Sequence, residues 1–144
     1  MSIDHRMYYK IHWRNPSKVI SQIYGSGQTP FTVNRFHIVF DALSSDDLFK
    51  FQYSHIATRR LLEIFRENQF TGLGICKELI VEISGEFKDV YTSEPLPSYF
   101  LLAVKGTPGG DDIGITADYD LVISARVLNE LNGVNISDVD IEEF

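Results

Sequence analysis

Residues 120–133 run Asp120-Leu121-Val122-Ile123-Ser124-Ala125-Arg126-Val127-Leu128-Asn129-Glu130-Leu131-Asn132-Gly133. A short apolar run containing β-branched residues stops at a serine, and beyond it the apolar residues recur at helical spacing. This predicts a strand over 120–123, Ser124 as helix N-cap, a two-turn helix over 125–131, and Gly133 as a left-handed stop. A strand that passes into a helix without a linker puts sheet and helix in one domain, and the rest of the chain is read outward from here.

Toward the N-terminus, residues 7–13 alternate as a first strand, and Pro16 followed by Ser17-Lys18-Val19-Ile20 marks a turn that opens a short helix. Gly25-Ser26-Gly27 breaks the pattern, and residues 31–40, rich in β-branched and aromatic side chains, predict a second strand with Phe36, Ile38 and Phe40 on one face. Ser44-Ser45-Asp46-Asp47 reads as a solvated turn. The longest helical pattern spans 54–68, with Ala57, Leu61, Ile64, Phe65 and Asn68 on one face and Ser54 placed to cap it. Arg59, Arg60 and Glu63 stand at helical-neighbour spacings on its polar face, which needs no functional explanation.

Residues 79–83 and 90–92 read as strands around Ser84-Gly85-Glu86, residues 98–104 as an extended segment, and Gly106-Thr107-Pro108-Gly109-Gly110 as a loop delivering Asp111 and Asp112. Residues 134–144 alternate weakly, as an edge strand whose acids discourage aggregation. No internal repeat or linker is legible. The order of elements predicts one α+β domain over residues 1–144, a mixed or mainly antiparallel sheet with one long and one short helix packed on it.

The chain has 144 residues, large enough to bury roughly 68% of its unfolded surface in a single core. Its net charge is −7, unevenly spread: residues 1–72 hold six Asp/Glu and nine Lys/Arg, residues 73–144 fourteen and four. An acidic balance argues against nucleic acid as a partner. No apolar run approaches the ~18 residues of a membrane span, and the N-terminus lacks the apolar core of a signal peptide. The single cysteine, Cys76, has no partner for an intramolecular disulfide, and a cytoplasmic protein is the expectation.

The acids offer the first candidate chemistry. Asp111-Asp112, Asp118-Tyr119-Asp120 and Asp138-Val139-Asp140 could supply oxygen ligands, since an Asp-x-Asp on a strand sets both carboxylates on one face. A calcium loop needs a fuller ligand series, so surface charge is the better reading and no metal or other cofactor is expected. His5, His12, His37 and His55 lack zinc spacing, and Cys76 reads as a small buried residue rather than a nucleophile served by His37 or His55. Ser124 lacks the flanking glycines of a nucleophile elbow. Neither glycine-rich segment continues into a phosphate-binding motif, and Tyr8, Tyr9 and Trp13 form at most a minor aromatic surface. The residues point to a binding domain rather than an enzyme.

Residues 96–144 carry a Pro-x-Tyr-Phe-Leu-Leu strand at 97–102, a Gly-x-Pro-Gly-x-Asp-Asp-x-Gly loop ending at Gly114, Tyr119-Asp120-Leu121-Val122-Ile123-Ser124 leading into a short helix, and the terminal Asp138-Val139-Asp140-Ile141-Glu142-Glu143. This pattern resembles the C-terminal part of small immunity proteins encoded beside bacterial polymorphic or contact-dependent toxins. The resemblance implies a non-catalytic inhibitor whose partner is a cognate toxin domain. Many such toxins attack nucleic acid and are cationic, so an acidic face would steer association. The partner-binding candidates are Asp111, Asp112, Asp118, Asp120, Asp138, Asp140, Glu142 and Glu143, with Tyr119 as aromatic anchor. A regulatory or scaffold domain, and less favourably a carboxylate-based metal enzyme, remain the alternatives.

Overall fold

A computed structural model describes residues 7–14, 20–24, 37–40, 46–51, 53–83 and 98–144. In chain order the elements are β1 (Tyr8–Trp13), β2 (Ile20–Tyr24), β3 (His37–Phe40), β4 (Leu48–Phe51), β5 (Ser54–Thr58), α1 (Arg59–Glu67), β6 (Lys77–Glu78), β7 (Ile80–Ile83), β8 (Tyr99–Leu101), β9 (Ile113–Ile115), β10 (Leu121–Ser124), α2 (Ala125–Leu131) and β11 (Val139–Glu143). The protein is an α+β fold. Two four-stranded antiparallel sheets, β11-β1-β10-β9 and β6-β8-β5-β4, accompany a three-stranded sheet, β2-β3-β7, whose β3 and β7 run parallel.

The second helix forms where expected. Ser124 is extended and its side chain accepts from Val127 N–H, which satisfies one of the donors that a helix start leaves open. Its other end differs. Gly133 has no positive φ, and the helix closes with Gly133 N–H on Glu130 O and Val134 N–H on Leu131 O. These i to i−3 bonds tighten the last turn without a left-handed residue.

The first helix is shorter than its pattern. Residues 54–58 are strand β5, and the cap is Thr58, whose side chain accepts from Leu61 N–H, not Ser54. Ile56 and Ala57 are both fully buried although they point to opposite faces of the sheet. Burial on both faces erases the strand's alternation, and the run then merges with Leu61, Leu62 and Phe65 into an apparent helical stripe. Arg59 pairs with Glu78, and Arg60 donates to Gly133 O, so neither relies on Glu63.

Among the other expectations, residues 20–24 are strand rather than a helix continuing from Pro16, and β4 and β9 had no clear pattern. Residues 25–27, 31–36, 84–92 and most of the predicted turn at Pro16 lie outside the described residues. Asp47 is not in a solvated turn. It is 5% exposed, and its carboxylate accepts from Thr58 Oγ1 at 2.7 Å and Asn135 N–H at 3.0 Å.

A repeat invisible in the sequence emerges from these registers. In each four-stranded sheet an aspartate precedes one strand (Asp47 before β4, Asp112 before β9), and its backbone carbonyl accepts from the cap residue of the neighbouring strand, Thr58 or Ser124. Each aspartate also holds that cap hydroxyl, Thr58 Oγ1 for Asp47 and Ser124 Oγ, at 2.8 Å, for Asp112. The first residue of each helix donates to the residue preceding the third strand, Arg59 to Ser98 and Ala125 to Met7. The two repeats are therefore β1-β4-β5-α1-β6 and β8-β9-β10-α2-β11, and each gives its first strand to the other's sheet.

Further contacts are reciprocal. Asp47 N–H and carboxylate bind Asn135 beyond α2, while Asp112 binds Thr71 beyond α1 through the Thr71 N–H and hydroxyl. Arg60 of α1 caps Gly133 O, and Arg126 of α2 caps Asn68 O. Cations at helix C-termini favour the carbonyl ends they meet. The halves enclose one core, to which Ile11, Ile113, Leu121 and Ile123 contribute from one sheet, Leu48, Ala57 and Leu102 from the other, and Leu61, Phe65, Val127 and Leu131 from the helices. Gly72, at φ +107°, and Gly106 both stand against Ile113 O, where any Cβ would lie within about 2 Å of that oxygen. Only glycine lets these three segments meet.

Candidate functional site

The two sheets meet at the turns joining β4 to β5 and β9 to β10. Counting the registers outward from the caps pairs Tyr53 with Tyr119, Ser54 with Asp120, His55 with Leu121 and Lys50 with Ile115. Along the exchanged strands it pairs Ala103 with His12, Val104 with Trp13 and Lys105 with Arg14. Tyr53 and Tyr119 contact each other with ring centroids 4.6 Å apart, tilted by 56°. Tyr119 holds φ +64°, a left-handed conformation that costs a non-glycine residue energy and is maintained by the turn bonds of Thr116 to Tyr119 and Asp120.

Beyond the tyrosine pair, the two halves differ. On one side Asp120, 16% exposed, lies 3.6 Å from Lys50 Nζ and 3.7 Å from His12 Nδ1, and His12 Nε2 is 2.8 Å from Glu142. The Glu142 carboxyl is held below its usual range, first by the hydrogen bond from His12 and then by the charges of His12 and Lys10. On the other side the matching positions are Ser54, Ala103 and Ile115, and a cavity of about 240 Å³ opens there. The last bond joining β5 to β8 runs from Leu102 N–H to His55 O. Beyond it residues 103–106 bond residues 72–74, and the cavity borders His55.

His55 is 2% exposed and its Nε2 has no partner, and Trp13 Nε1, on a ring 5.2 Å away, has none either. These are the buried side-chain polar atoms without a partner among the described residues. Burial lowers the His55 pKa to about 3, with Lys50 adding repulsion, so its imidazole is neutral at physiological pH.

The acidic candidates fall into two groups. Asp111 and Asp112 are taken up by the fold: Asp111 accepts from Thr107 N–H, and Asp112 from Ser124 Oγ and Thr71 N–H, with Arg126 at 3.9 Å. Asp118, Tyr119 and Asp120 form the turn beside Tyr53; Asp118 is exposed and Asp120 is tied to Lys50 and His12. Asp138 stands just before β11 and Asp140, Glu142 and Glu143 lie along it, all exposed. Arg14 stands 3.9 Å from Asp140 and Lys10 3.5 Å from Glu142, exposed pairs that stabilise little. Neither Asp-x-Asp lies wholly on a strand, because Tyr119 and Asp138 both have positive φ, so the expected sharing of one strand face does not hold.

Other sequence candidates resolve structurally. Tyr9 and Trp13 pack against the core and Tyr8 OH reaches Gly110 O, so they do not make a common aromatic surface. Cys76 is buried, its thiol donates to Gly74 O, and burial pushes its pKa up. His37 has no described side chain, and His55 packs on Trp13. Sequence reasoning missed Lys50 and Tyr53 and treated His55 only as a structural residue. No local signal marks them, because their roles come from the register of two turns far apart in the chain. No helix among the described residues is long and apolar enough to cross a membrane.

Comparison with protein-family models, with curated proteins and with solved structures yields no match, which leaves the site's own chemistry as the guide.

Proposed function

We propose that this chain is a non-catalytic binding protein whose acidic C-terminal strand engages a cationic protein, specifically an immunity protein that neutralises a cognate bacterial toxin domain in the cytoplasm. The observation that carries this reading is the composition of β11 and its end. Asp140, Glu142 and Glu143 alternate there with Ile141, 44% exposed, and Phe144, 59% exposed. These are two of the four large hydrophobic residues exposed among the described residues. Exposed apolar groups beside charged ones are common in protein interfaces, with the acids governing encounter rate and the apolar groups governing residence time. Asp118, Tyr119 and Asp138 extend the contact area; Asp111, Asp112 and Asp120 contribute negative field while held within the fold.

β11 is also the outer strand of its four-stranded sheet. Its acids protect that edge against indiscriminate pairing while leaving it open to a complementary partner. The toxin assignment comes from the sequence resemblance at residues 96–144, and a regulatory or scaffold domain would use the same surface.

The test is co-expression with the C-terminal domain of the protein encoded immediately upstream, scoring survival and co-purification. Rescue with a stable complex is expected, and the combined Asp118→Lys, Asp140→Lys, Glu143→Lys variant should slow association at least tenfold at low salt while keeping the wild-type melting temperature within a few degrees. An unchanged association rate in the folded variant refutes the acidic face. Failure of both rescue and complex formation refutes the immunity reading.

A further inference from the structure

We infer that the outer edge of β11 takes up an extended segment of the partner protein as a fifth strand of its sheet, a segment in which Lys or Arg alternates with apolar residues. This deepens the reading of β11 as the contact surface and rests on it. What it adds is that recognition runs through the backbone.

The phase of the ladder shows which groups are open. Arg14 N–H bonds Asp138 O at one end of the pair formed by β1 and β11, and Phe144 N–H bonds Tyr8 O at the other. Between them the register is unbroken, from Trp13 opposite Val139 to Tyr9 opposite Glu143. Bonding positions alternate along an antiparallel pair, so Asp140 and Glu142 turn their backbone groups toward β1, and Val139, Ile141 and Glu143 turn theirs to the outer edge. Among the described residues no strand pairs with that edge. With five residues, β11 is longer than β4, β6 or β9, the other outer strands of the four-stranded sheets. Its twin β6 keeps two residues before the chain leaves for the three-stranded sheet, so the repeat does not itself demand a long open edge.

The side chains define the occupant. Residues directly opposite share a face, so Ile141 lies beside the fully buried Ile11, while Asp140 and Glu142 lie beside His12 and Lys10 on the other face. Ile141 is still 44% exposed, and an apolar side chain on an added strand would continue the core past it. On the opposite face an added strand meets carboxylates. Arg14 and Lys10 approach Asp140 and Glu142 from the β1 side, whereas Asp138 and Glu143 have no ion pair among the described residues. Cations on one face and apolar groups on the other make an alternating segment, since side chains change face at every residue. A second copy of this chain fits poorly. Pairing β11 with itself about Ile141 sets Asp140 opposite Glu142 twice, in the non-bonded positions where side chains stand closest, and like charges there oppose pairing. A cationic segment turns the same two positions into attraction.

The experiment offers the edge a cationic strand of known geometry, the same chain carrying Asp140→Lys and Glu142→Lys. Sedimentation velocity at low salt follows wild type, this variant and their equimolar mixture. The mixture should associate about tenfold more tightly than either chain does with itself, and added salt should weaken it. Ile141→Pro in the wild-type chain should then weaken the mixed complex about tenfold, because it removes an outward N–H and leaves the bonds to β1 in place. Ile141→Ser, which loses the apolar group but keeps the N–H, should weaken it less. If the doubly substituted chain fails to fold, the blocked peptide Val-Lys-Ile-Lys-Val replaces it, read from the amide resonances of Val139, Ile141 and Glu143. No association, wild type that pairs as well with itself, or a complex that treats Ile141→Pro and Ile141→Ser alike would each overturn strand addition. In the complex with the upstream-encoded domain, tight binding that ignores Ile141→Pro would also overturn it while leaving the acidic surface in place. Absence of that complex refutes the toxin assignment, and the mixture of chains still decides strand addition.

Discussion

Replacing His55 by leucine should flatten the response of this protein's stability to mild acid. The His55 imidazole titrates near 6.5 when the chain is unfolded and near 3 when folded, because burial disfavours its charged form. Between those two values the unfolded chain carries a proton at this site that the folded one does not. Stability therefore rises with pH there, at about 1.4 kcal/mol per unit, and the penalty grows as pH falls from 6.5 toward 3. From pH 7 to pH 5 the loss integrates to about 2 kcal/mol, nearly all of it accruing below 6.5. In urea, with a slope near 2 kcal/mol per molar, this is a fall in midpoint of about 1 M. Other groups titrate over the same range, so the quantity to read is the difference between wild type and His55→Leu, measured by circular dichroism at pH 7 and pH 5. Wild type should lose about 1 M more than the variant, and at pH 7 the variant should be at least as stable, since it removes an unpaired buried nitrogen. Equal losses in the two proteins would refute a neutral, buried His55. A variant several kcal/mol less stable at pH 7 would refute the equivalence of His55 with Leu121.

Asp47→Ala should cost about 2–3 kcal/mol in urea unfolding, because it strands Thr58 Oγ1 and Asn135 N–H in a buried setting, and Asp112→Ala should cost less, its carboxylate being 13% exposed. Gly133→Ala should be neutral or stabilising by up to about 1 kcal/mol, since the glycine has no positive φ and a Cβ there meets only Glu130 O at 3.6 Å. A Gly72→Ala chain should fail to accumulate folded protein, because that Cβ would collide with Ile113 O at a φ of +107°. Cys76 should react with a disulfide reagent at pH 8 far more slowly in the native protein than in urea, since the thiol is buried and its pKa is raised; equal rates would show that the segment opens freely.

Some of this was written locally. Ser124 and the residues after it specify α2 because a cap bonds within three residues of itself, and the acids of β11 announce an exposed edge because no core accommodates unpaired carboxylates. Where burial covers both faces of a strand, local pattern misleads: Ser54–Thr58 passed for helix, and the apparent alternation through Asp118 and Asp120 dissolved at a left-handed Tyr119.

Composition and neighbours within a few residues are enough to set the α+β class, the capped second helix, the buried cysteine and the acidic C-terminal strand. The tertiary structure alone decided that the chain is built as two halves exchanging their first strands, that Asp47 and Asp112 are structural twins, and that His55 stands unpaired where its counterpart is leucine. The two halves share little sequence because many side chains satisfy the same backbone register. The cavity is lined by residues brought together from β5, β8 and β9, and no local pattern encodes that meeting.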